Sequence, residues 1–466
     1  MVSKKDIIIG YTAQLLNVGS GIIILPALLI FLSKEELGLW YIFSAMYGLI
    51  LLLEVGFQPT ISRQSAYICD GAVELRAFDL PEKKNNHPNI DLFCDLFWAS
   101  KKIYMSIAIL SFFLLSLIGS GYLISLKIDV DYSYVITAWL VYSISAIINF
   151  YFGYYNGLLL GMGEITNVNM ITSVSKFLMV VFTVIFLWCG AELYSIGIAS
   201  LLSCIINRIL ISRLFNKIIR YKFCLKNGVD RRRKNNLAMR VVWSGAWRLG
   251  LVQLGTFVIL KGNQFIAATF IGVNAAGVYG LTSQVLLLIF TVSSLLGYLQ
   301  LPKMNSLQLN NNLEKLRDVY SLSVLSLWFI FISATVGFYF FGIPILHAIH
   351  STSSIIDAPW FFLFAFILLL EANHGISGSY LTTLNKIPFL TANLISGFFV
   401  ISLSIILVKY YNLEIYGLIM GQGIVQLAFN NWYWPLLARK HLKLTRCNLL
   451  YRGFLLMRNI SKLKRE

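Results

Sequence analysis

Two ionisable side chains in the apolar stretch FILLLEANHGISGSY have the spacing of a proton relay. Glu371 and His374 are three residues apart, so in a helix they lie on the same face. Burial and mutual charge alter the protonation of such a pair, and histidine changes its charge in the physiological range. Because proton relays in transporters are built from such groups, the pair is a candidate for ion coupling. The alternative is a neutral histidine bonded to Glu371 that holds two helices together.

A further acid closes another apolar run, in the stretch LLLEVGFQPTISR. A charged side chain at the centre of a membrane helix costs on the order of 2.5–3.5 kcal/mol, so Glu54 is either functional or an internal pairing partner with a structural role. Arg63 follows nine residues later, too far along one helix to pair with Glu54. We interpret Arg63 as a candidate substrate contact; the alternative is ordinary snorkelling of its side chain to the lipid headgroups.

Four basic residues also fall inside apolar runs, namely Lys176, Arg248, Lys261 and, near a cytoplasmic end, Arg208. Lys261 shares a broad helical face with Gln253 and Gln264, which suits a water-filled cavity. Arg248 lies on a different face, and its alternative role is that of an interfacial anchor. Lys176 lies equally deep in its own run. These cations outnumber the acids of the apolar runs, and a cationic interior suits an anionic passenger such as a phosphate, which Lys and Arg bind by charge and hydrogen bonds.

The elements that carry these residues are membrane spans. The chain is 58% hydrophobic and only 13% charged, against about 25% charged residues in soluble domains. Runs of about 20 apolar residues separate the charge clusters and are long enough to cross the hydrocarbon core as helices. The first run is too long and too polar for a signal peptide. We predict twelve spans, at residues 7–32, 37–61, 103–126, 133–157, 167–188, 193–214, 242–270, 276–300, 319–342, 358–383, 388–409 and 415–437.

The basic residues set the predicted orientation, because they concentrate on the cytoplasmic side of membrane proteins. With the N-terminus inside, 31 of the 38 Lys and Arg residues fall in inside segments and three in outside loops. Both termini are therefore predicted to be cytoplasmic, and the net charge of +17 is explained without nucleic acid. Two weakly similar six-span halves follow, a common plan for transporters. We predict an N-terminal six-helix bundle, a basic cytoplasmic linker, a C-terminal six-helix bundle and a basic cytoplasmic tail, at residues 1–216, 217–240, 241–438 and 439–466.

Several chemistries are excluded by the sequence. It contains no phosphate loop for ATP hydrolysis and no H-E-x-x-H or paired-cysteine metal site, so we expect neither a cofactor nor a bound metal. No long external loop is predicted that would hold the active site of an enzyme acting outside the cell. We therefore expect a protein that is not an enzyme.

The segment before the third span has its own pattern. In IDLFCDLFWASKK, apolar residues recur at helical spacing at Ile90, Phe93 and Phe97. This pattern predicts an amphipathic helix at the cytoplasmic membrane interface, with a simple connector as the alternative.

Five stretches around the first four spans share a pattern with a known family. They are EELGLW before span two, LLLEVGFQPTISRQ at its end, SAYICDGAVEL after it, WASKKIY before span three and YYNGLLLGMGEI after span four. Over nearly its whole length the chain resembles the polysaccharide flippases of the multidrug/oligosaccharidyl-lipid/polysaccharide exporter (MOP) superfamily, in particular the O-antigen unit translocases. Members commonly show an acid, then Gly, then Phe or Leu, then Arg at the end of span two. Glu54, Gly56, Phe57 and Arg63 match those positions, although in many relatives the acid is Asp.

The resemblance implies an all-α polytopic protein of the bacterial inner membrane, with two six-helix bundles around a central cavity that opens alternately to each side. It implies that the cargo is an undecaprenyl-diphosphate-linked oligosaccharide, flipped by ion-coupled transport for O-antigen, and hence lipopolysaccharide, or related polysaccharide synthesis. Expected partners are this cargo, membrane lipids and polymerase or chain-length proteins of the pathway. Glu54 becomes a gate or counter-ion beside the cationic path. The predicted roles are substrate binding for Arg63, Lys176, Arg248 and Lys261, and coupling or gating for Glu54, Glu371 and His374.

Two other functions stay open at this point. A multidrug-type antiporter of small molecules predicts protection against cationic drugs, which a cationic interior does not favour. An integral membrane polysaccharide polymerase or glycosyltransferase predicts large external loops with clustered Arg or His, or a cytoplasmic acidic motif, and neither is found in the sequence.

Overall fold

The fold is that of a helical membrane protein. The computed structural model describes residues 23–54, 56–76, 87–222, 236–309, 312–348, 354–384 and 388–463. Most of the first predicted span and the middle of the basic linker lie outside these ranges. Within them there are helices and connecting turns and no β-strand. The predicted all-α class is confirmed.

Nineteen helices are found in the described ranges and are labelled in chain order. The first nine are α1 23–31, α2 Lys34–Leu51, α3 Phe57–Cys69, α4 Ile90–Phe113, α5 Ser120–Ser125, α6 Tyr132–Tyr151, α7 Tyr154–Gly161, α8 Ile165–Trp188 and α9 Glu192–Lys222. The others are α10 Asn236–Ile266, α11 Val273–Leu299, α12 Leu301–Leu309, α13 Leu313–Gly337, α14 Ile343–Ala348, α15 Ala358–Thr382, α16 Leu390–Lys409, α17 Glu414–Ala428, α18 Asn430–His441 and α19 Arg446–Leu463. Three π-helical segments continue α4, α10 and α13, at Leu114–Gly119, Ala267–Ile271 and Phe338–Gly342.

Nine helices, or runs of successive helices, in the described residues are long and apolar enough to cross a membrane. They coincide with the third to eleventh predicted spans, which confirms a polytopic membrane protein. The second and twelfth predicted spans are interrupted, between α2 and α3 and between α17 and α18 at Phe429. The fourth predicted span, although counted as one run, contains a break between α6 and α7.

The chain forms two compact units. The first unit comprises Met1–Glu36 and Ile42–Leu254, and the second comprises Leu37–Tyr41 and Gly255–Glu466, so the division falls inside α10. In the first unit α6 and α8 pack on α9, and α3 packs on α7. In the second unit α16 packs on α17, and α13 packs on α11 and α19. The predicted limits of the two six-helix bundles stay predictions.

The predicted interfacial helix before the third span is not a separate element. α4 begins at Ile90 and runs without interruption into the apolar span. Phe93 and Phe97 are buried, and the ring of Phe97 stacks on Phe215 with centroids 5.7 Å apart. Two of the three residues of the predicted apolar stripe, Phe93 and Phe97, therefore pack inside the first unit, whereas Ile90 is exposed.

Gly56 fixes the interruption between α2 and α3. Its φ of 86° lies in the left-handed region, which costs other residues roughly 1–2 kcal/mol. A Cβ at this position would lie 2.4 Å from the carbonyl oxygen of Ala246 on α10. Pro59 falls in the first turn of α3, where its missing N–H is tolerated. These constraints end α2 just before Glu54 and redirect the chain there.

We expect Gly56→Ala to destabilise the folded protein by about 3 kcal/mol, because left-handed strain contributes roughly 1–2 kcal/mol and relief of the backbone clash typically 1–3 kcal/mol. The thermal melting temperature of the purified protein in detergent measures this loss.

Two matched substitutions separate the contributions. Gly163 has a φ of 89° with open space at its Cβ position, and Gly121 in α5 has open space and no such φ. Gly163→Ala should therefore lose only the roughly 1–2 kcal/mol of left-handed strain, and Gly121→Ala should lose none. Equal melting temperatures for the Gly56 and Gly163 variants would contradict the close approach to Ala246.

Candidate functional site

The turn between α2 and α3 presents Glu54 to the interior of the first unit. Its backbone N–H bonds to the carbonyl oxygen of Leu51, and its own carbonyl accepts from Phe57, so the turn is closed at both ends. The hydroxyl of Tyr104 on α4 donates to Oε1 of Glu54 at 2.9 Å. Tyr104 is fully buried. The carboxylate is thus held by a rigid neutral donor rather than by a basic residue of its own helix.

A second interruption faces the same carboxylate. α6 ends at Tyr151, and α7 begins at Tyr154 after Phe152 and Gly153. A Cβ on Gly153 would lie 2.4 Å from the Tyr104 ring and 3.1 Å from Oε1 of Glu54. Only glycine therefore lets this turn approach the Tyr104–Glu54 pair.

Arg208 on α9 makes hydrogen bonds to residues at the C-terminal end of α6. Its guanidinium donates to the carbonyl oxygen of Phe152 at 3.4 Å and to Oδ1 of Asn149. The Asn149 amide in turn donates to the Tyr47 hydroxyl at 3.3 Å. Arg208 is 7% exposed, and its Nε has no hydrogen-bond partner. A buried guanidinium with an unused donor is suited to an additional anionic or carbonyl ligand.

These groups line one polar cavity of about 310 Å³ in the first unit. Its acidic and basic residues are Glu54, Lys176 and Arg208. The wall therefore has two basic residues and one acidic residue. Hydroxyl and amide side chains supply most of the remaining wall, namely Tyr47, Gln58, Tyr142, Ser145, Asn149, Asn156, Thr172, Ser175, Ser200, Ser203 and Asn207. The cavity therefore offers both charge for an anion and many neutral hydrogen-bonding groups.

The structure brings together only part of the predicted site. Glu54 and Lys176 line the cavity. Arg63 lies on α3, is exposed and is not part of the cavity wall. Arg248 lies on α10, and its side chain falls outside the described part of the structure. Lys261 is half-buried on the part of α10 that belongs to the second unit.

Sequence reasoning assigned no role to Arg208 beyond adding to the cationic character. A signal for it is present: Ser200, Cys204 and Asn207 precede Arg208 at helical spacing and form a polar stripe on one face of α9. The Tyr104–Glu54 bond has no comparable signal, because the two residues are fifty positions apart.

The Glu371–His374 pair lies on α15 of the second unit. Oε2 of Glu371 and Nδ1 of His374 are 3.5 Å apart, too far for a good hydrogen bond. Both residues are buried, and Oε1 of Glu371 and Nδ1 of His374 have no hydrogen-bond partner. The two side chains are therefore close together but are not joined by a good hydrogen bond.

The helix that carries this pair, α15, packs on α17 and α18, on both sides of the interruption at Phe429. A Cβ on Gly423 would lie 2.6 Å from Ile367, and the Tyr380 hydroxyl lies 2.6 Å from Nδ1 of His441. In sequence, Glu371 and His374 lie between Ile367 and Tyr380 of α15. Asn431 lies between Gly423 of α17 and His441 of α18. Asn431 is buried, and neither atom of its amide group has a hydrogen-bond partner.

The described residues contain no group of three His, Cys, Asp or Glu side chains placed to hold a metal ion.

Comparison with known proteins identifies the fold. No protein-family profile matches the chain, and no curated protein matches it in sequence. The inward-facing structure of a multidrug resistance MATE family transporter of the MOP superfamily is similar, with 15% identity, a TM-score of 0.67, and 92% of this chain and 94% of that chain covered. The outward-facing structure of such a transporter has 16% identity, a TM-score of 0.55 and 94% of each chain covered. A MATE structure in complex with Br-NRF has 16% identity, a TM-score of 0.52 and 94% of each chain covered.

The chain thus has the fold of the MATE transporters of the MOP superfamily, a fold of twelve helices. The predicted fold class is confirmed at this level. At 15–16% identity the likeness concerns the fold alone.

Proposed function

We propose that the protein flips undecaprenyl-diphosphate-linked oligosaccharide repeat units from the cytoplasmic to the periplasmic leaflet by ion-coupled alternating access. The fold of MOP-superfamily transporters supports transport as the activity. The sequence motifs around the first four spans support the polysaccharide branch.

The observation that carries the proposal is the composition of the cavity in the first unit. Lys176 and Arg208 give it a surplus of positive charge over Glu54, and neutral amides and hydroxyls line the rest. A diphosphate binds Lys and Arg through charge-assisted hydrogen bonds, and sugar hydroxyls bind amides and hydroxyls as both donors and acceptors. A lipid-linked oligosaccharide presents both kinds of group.

Within this proposal each charged residue has a role. Lys176 and the guanidinium of Arg208, which line the cavity, contact the phosphates. Glu54, held by Tyr104, is the counter-ion of the cationic path when the cargo is absent. Arg63, Arg248 and Lys261 are proposed as further substrate contacts outside this cavity.

The energy source is proposed to be an ion gradient. The sequence contains no phosphate loop for ATP, whereas Glu371 and His374 form a buried acid–base pair with unmet polar atoms. Proton relays in transporters use such intramembrane groups. Exchange of a proton at this pair would make the second unit sensitive to the gradient.

A multidrug-type antiporter is the second candidate, because the similar solved structures include a multidrug resistance transporter. A cavity with two cations and one acid repels cationic drugs, which is why we favour the anionic cargo. We propose that the protein lies in the bacterial inner membrane with both termini cytoplasmic, and that it acts with membrane lipids and the polymerase and chain-length proteins of the pathway.

A deletion strain tests the proposal. We expect loss of surface glycan, accumulation of single lipid-linked repeat units and unchanged susceptibility to cationic drugs such as ethidium. Complementation with the wild-type gene should restore the glycan, and expression of the gene in a drug-sensitive host controls for export of drugs. Normal glycan together with increased ethidium susceptibility would support the antiporter and contradict the flippase.

A further inference from the structure

An apolar groove of about 790 Å³ lies in the second unit, between α16 and the interrupted α17–α18 pair. Ile395 and Phe399 of α16 line it and are 57% and 53% exposed. Small-molecule sites typically have volumes of about 300–1,000 Å³. The groove is therefore large enough for a sizeable apolar ligand, and it opens from a helix that crosses the membrane.

The fold builds this groove from one close helix contact and one break. α16 and α17 run antiparallel, and a Cβ on Gly421 would lie 2.5 Å from Oγ of Ser404. Further along, α17 ends, and the ring of Phe429 stacks on Tyr433 with centroids 4.5 Å apart. Both aromatic rings line the groove. At the break, the close packing of α16 on α17 therefore gives way to the groove, which has aromatic side chains in its wall.

Asn430 and Trp434 beside the groove make hydrogen bonds within the protein. The Asn430 amide donates to Oγ of Ser396 at 2.8 Å and to the side-chain oxygen of Gln426 at 3.0 Å. The Trp434 ring N–H donates to Oδ1 of Asn430 at 2.9 Å. A ligand in the groove therefore meets hydrocarbon and ring faces. The aromatic side chains of the wall offer a large apolar surface to a hydrocarbon chain such as a polyprenyl group.

Two basic residues, Arg439 and Lys440, lie near one end of the groove. Leu437 lines that end, and Lys440 follows three residues later, on the same helical face of α18. Lys440 is exposed, and Arg439 is half-buried beside it. The predicted topology places this end at the cytoplasmic surface, which is the leaflet where a lipid-linked cargo starts. An apolar chain in the groove would thus carry its anionic head next to these cations.

We propose that this groove binds the polyprenyl chain of the lipid-linked cargo, with the diphosphate at Lys440. The inference rests on the proposed function and adds to it a separate site for the lipid part of the substrate. The groove of the second unit thus holds the apolar chain, whereas the polar cavity of the first unit is proposed for the head group.

The test measures binding of undecaprenyl diphosphate to the purified full-length protein by native mass spectrometry, with phosphatidylglycerol as competitor. Ala392→Trp places a bulky ring in the groove, and Phe398→Trp on the same helix places one on a 68% exposed face outside it. Displacement of about two methylene groups corresponds to a roughly tenfold loss of affinity. We expect at least that loss for Ala392→Trp and none for Phe398→Trp.

A second pair of variants tests the charge. Lys440→Ala should weaken binding of the diphosphate severalfold, whereas Lys409→Ala, at the opposite end of α16, should leave it unchanged. Should Ala392→Trp fail to fold, Ile424→Trp fills the groove from a half-exposed position.

The outcomes separate the two proposals. If the wild-type protein prefers undecaprenyl diphosphate and the groove variants keep that affinity, the proposed role of the groove is contradicted. The proposed flippase function is not affected by this result. If phosphatidylglycerol displaces undecaprenyl diphosphate from the groove on equal terms, ordinary lipid occupies it and the inference fails. If the wild-type protein does not bind undecaprenyl diphosphate at all, the proposed function itself is contradicted.

Discussion

Arg208→Ala is expected to reduce transport of the lipid-linked cargo roughly ten- to hundredfold, since a hydrogen bond to a charged group contributes about 1.5–3 kcal/mol and each 1.4 kcal/mol is a factor of ten. The variant removes the free guanidinium donor of the cavity and leaves the carbonyl of Phe152 and the Asn149 oxygen without this partner. Export of repeat units by a complemented deletion strain, normalised to the amount of protein in the membrane, measures the effect.

The controls for this prediction come from the same helix. Arg213→Ala removes an exposed arginine of α9 that does not line the cavity and should leave export unchanged. Arg208→Lys keeps the positive charge and should retain part of the activity, because lysine lacks the planar set of donors. Full export by Arg208→Ala at a normal protein level would remove Arg208 from the proposed cargo site.

The second large effect is expected for Glu371→Gln. If Glu371 takes up the coupling proton, this variant should lose substrate-dependent proton movement in proteoliposomes by at least about tenfold, as for the loss of one essential proton carrier. The melting temperature should stay the same or rise. The reason is that a carboxyl group with an unmet oxygen is replaced by a neutral amide of the same shape.

The melting temperature distinguishes coupling from a structural role. A purely structural Glu371–His374 pair would make Glu371→Gln less stable while transport per folded molecule remained normal. Glu371→Asp keeps a titratable carboxyl and should restore part of the proton movement. Normal coupled transport by Glu371→Gln would contradict the proposed relay.

Hydropathy predicts the spans well because each one must satisfy its backbone in lipid, and the third to eleventh spans follow directly from apolar runs. The interruptions are not visible in this way. The run that ends at Glu54 is apolar, and the close approach of the Ala246 backbone to Gly56, nearly two hundred residues apart in sequence, is not visible in its hydropathy. Such a break depends on a tertiary contact, which composition does not encode.

For the candidate site, too, the sequence predicts some features and not others. The sequence identifies Glu54 and Lys176 as costly charges inside spans, but their shared cavity depends on how α2, α8 and α9 pack. The face of α10 that groups Lys261 with Gln264 suggested a cavity wall. Gln264 instead is buried and donates to the carbonyl oxygen of Ala276 at 2.9 Å. A polar residue in a span that lines a cavity and one that joins two helices have the same signature in sequence.

The most direct test of the central claim is the sidedness of lipid-linked repeat units in the deletion strain. An impermeant reagent that oxidises sugars, applied to intact spheroplasts, labels only units on the periplasmic face. We predict that the accumulated units are protected in spheroplasts and labelled after the membrane is opened, and that the wild-type gene abolishes this protected pool. Accumulated units that are labelled in intact spheroplasts have already crossed the membrane, and this result would contradict a flippase and point to a later step such as polymerisation.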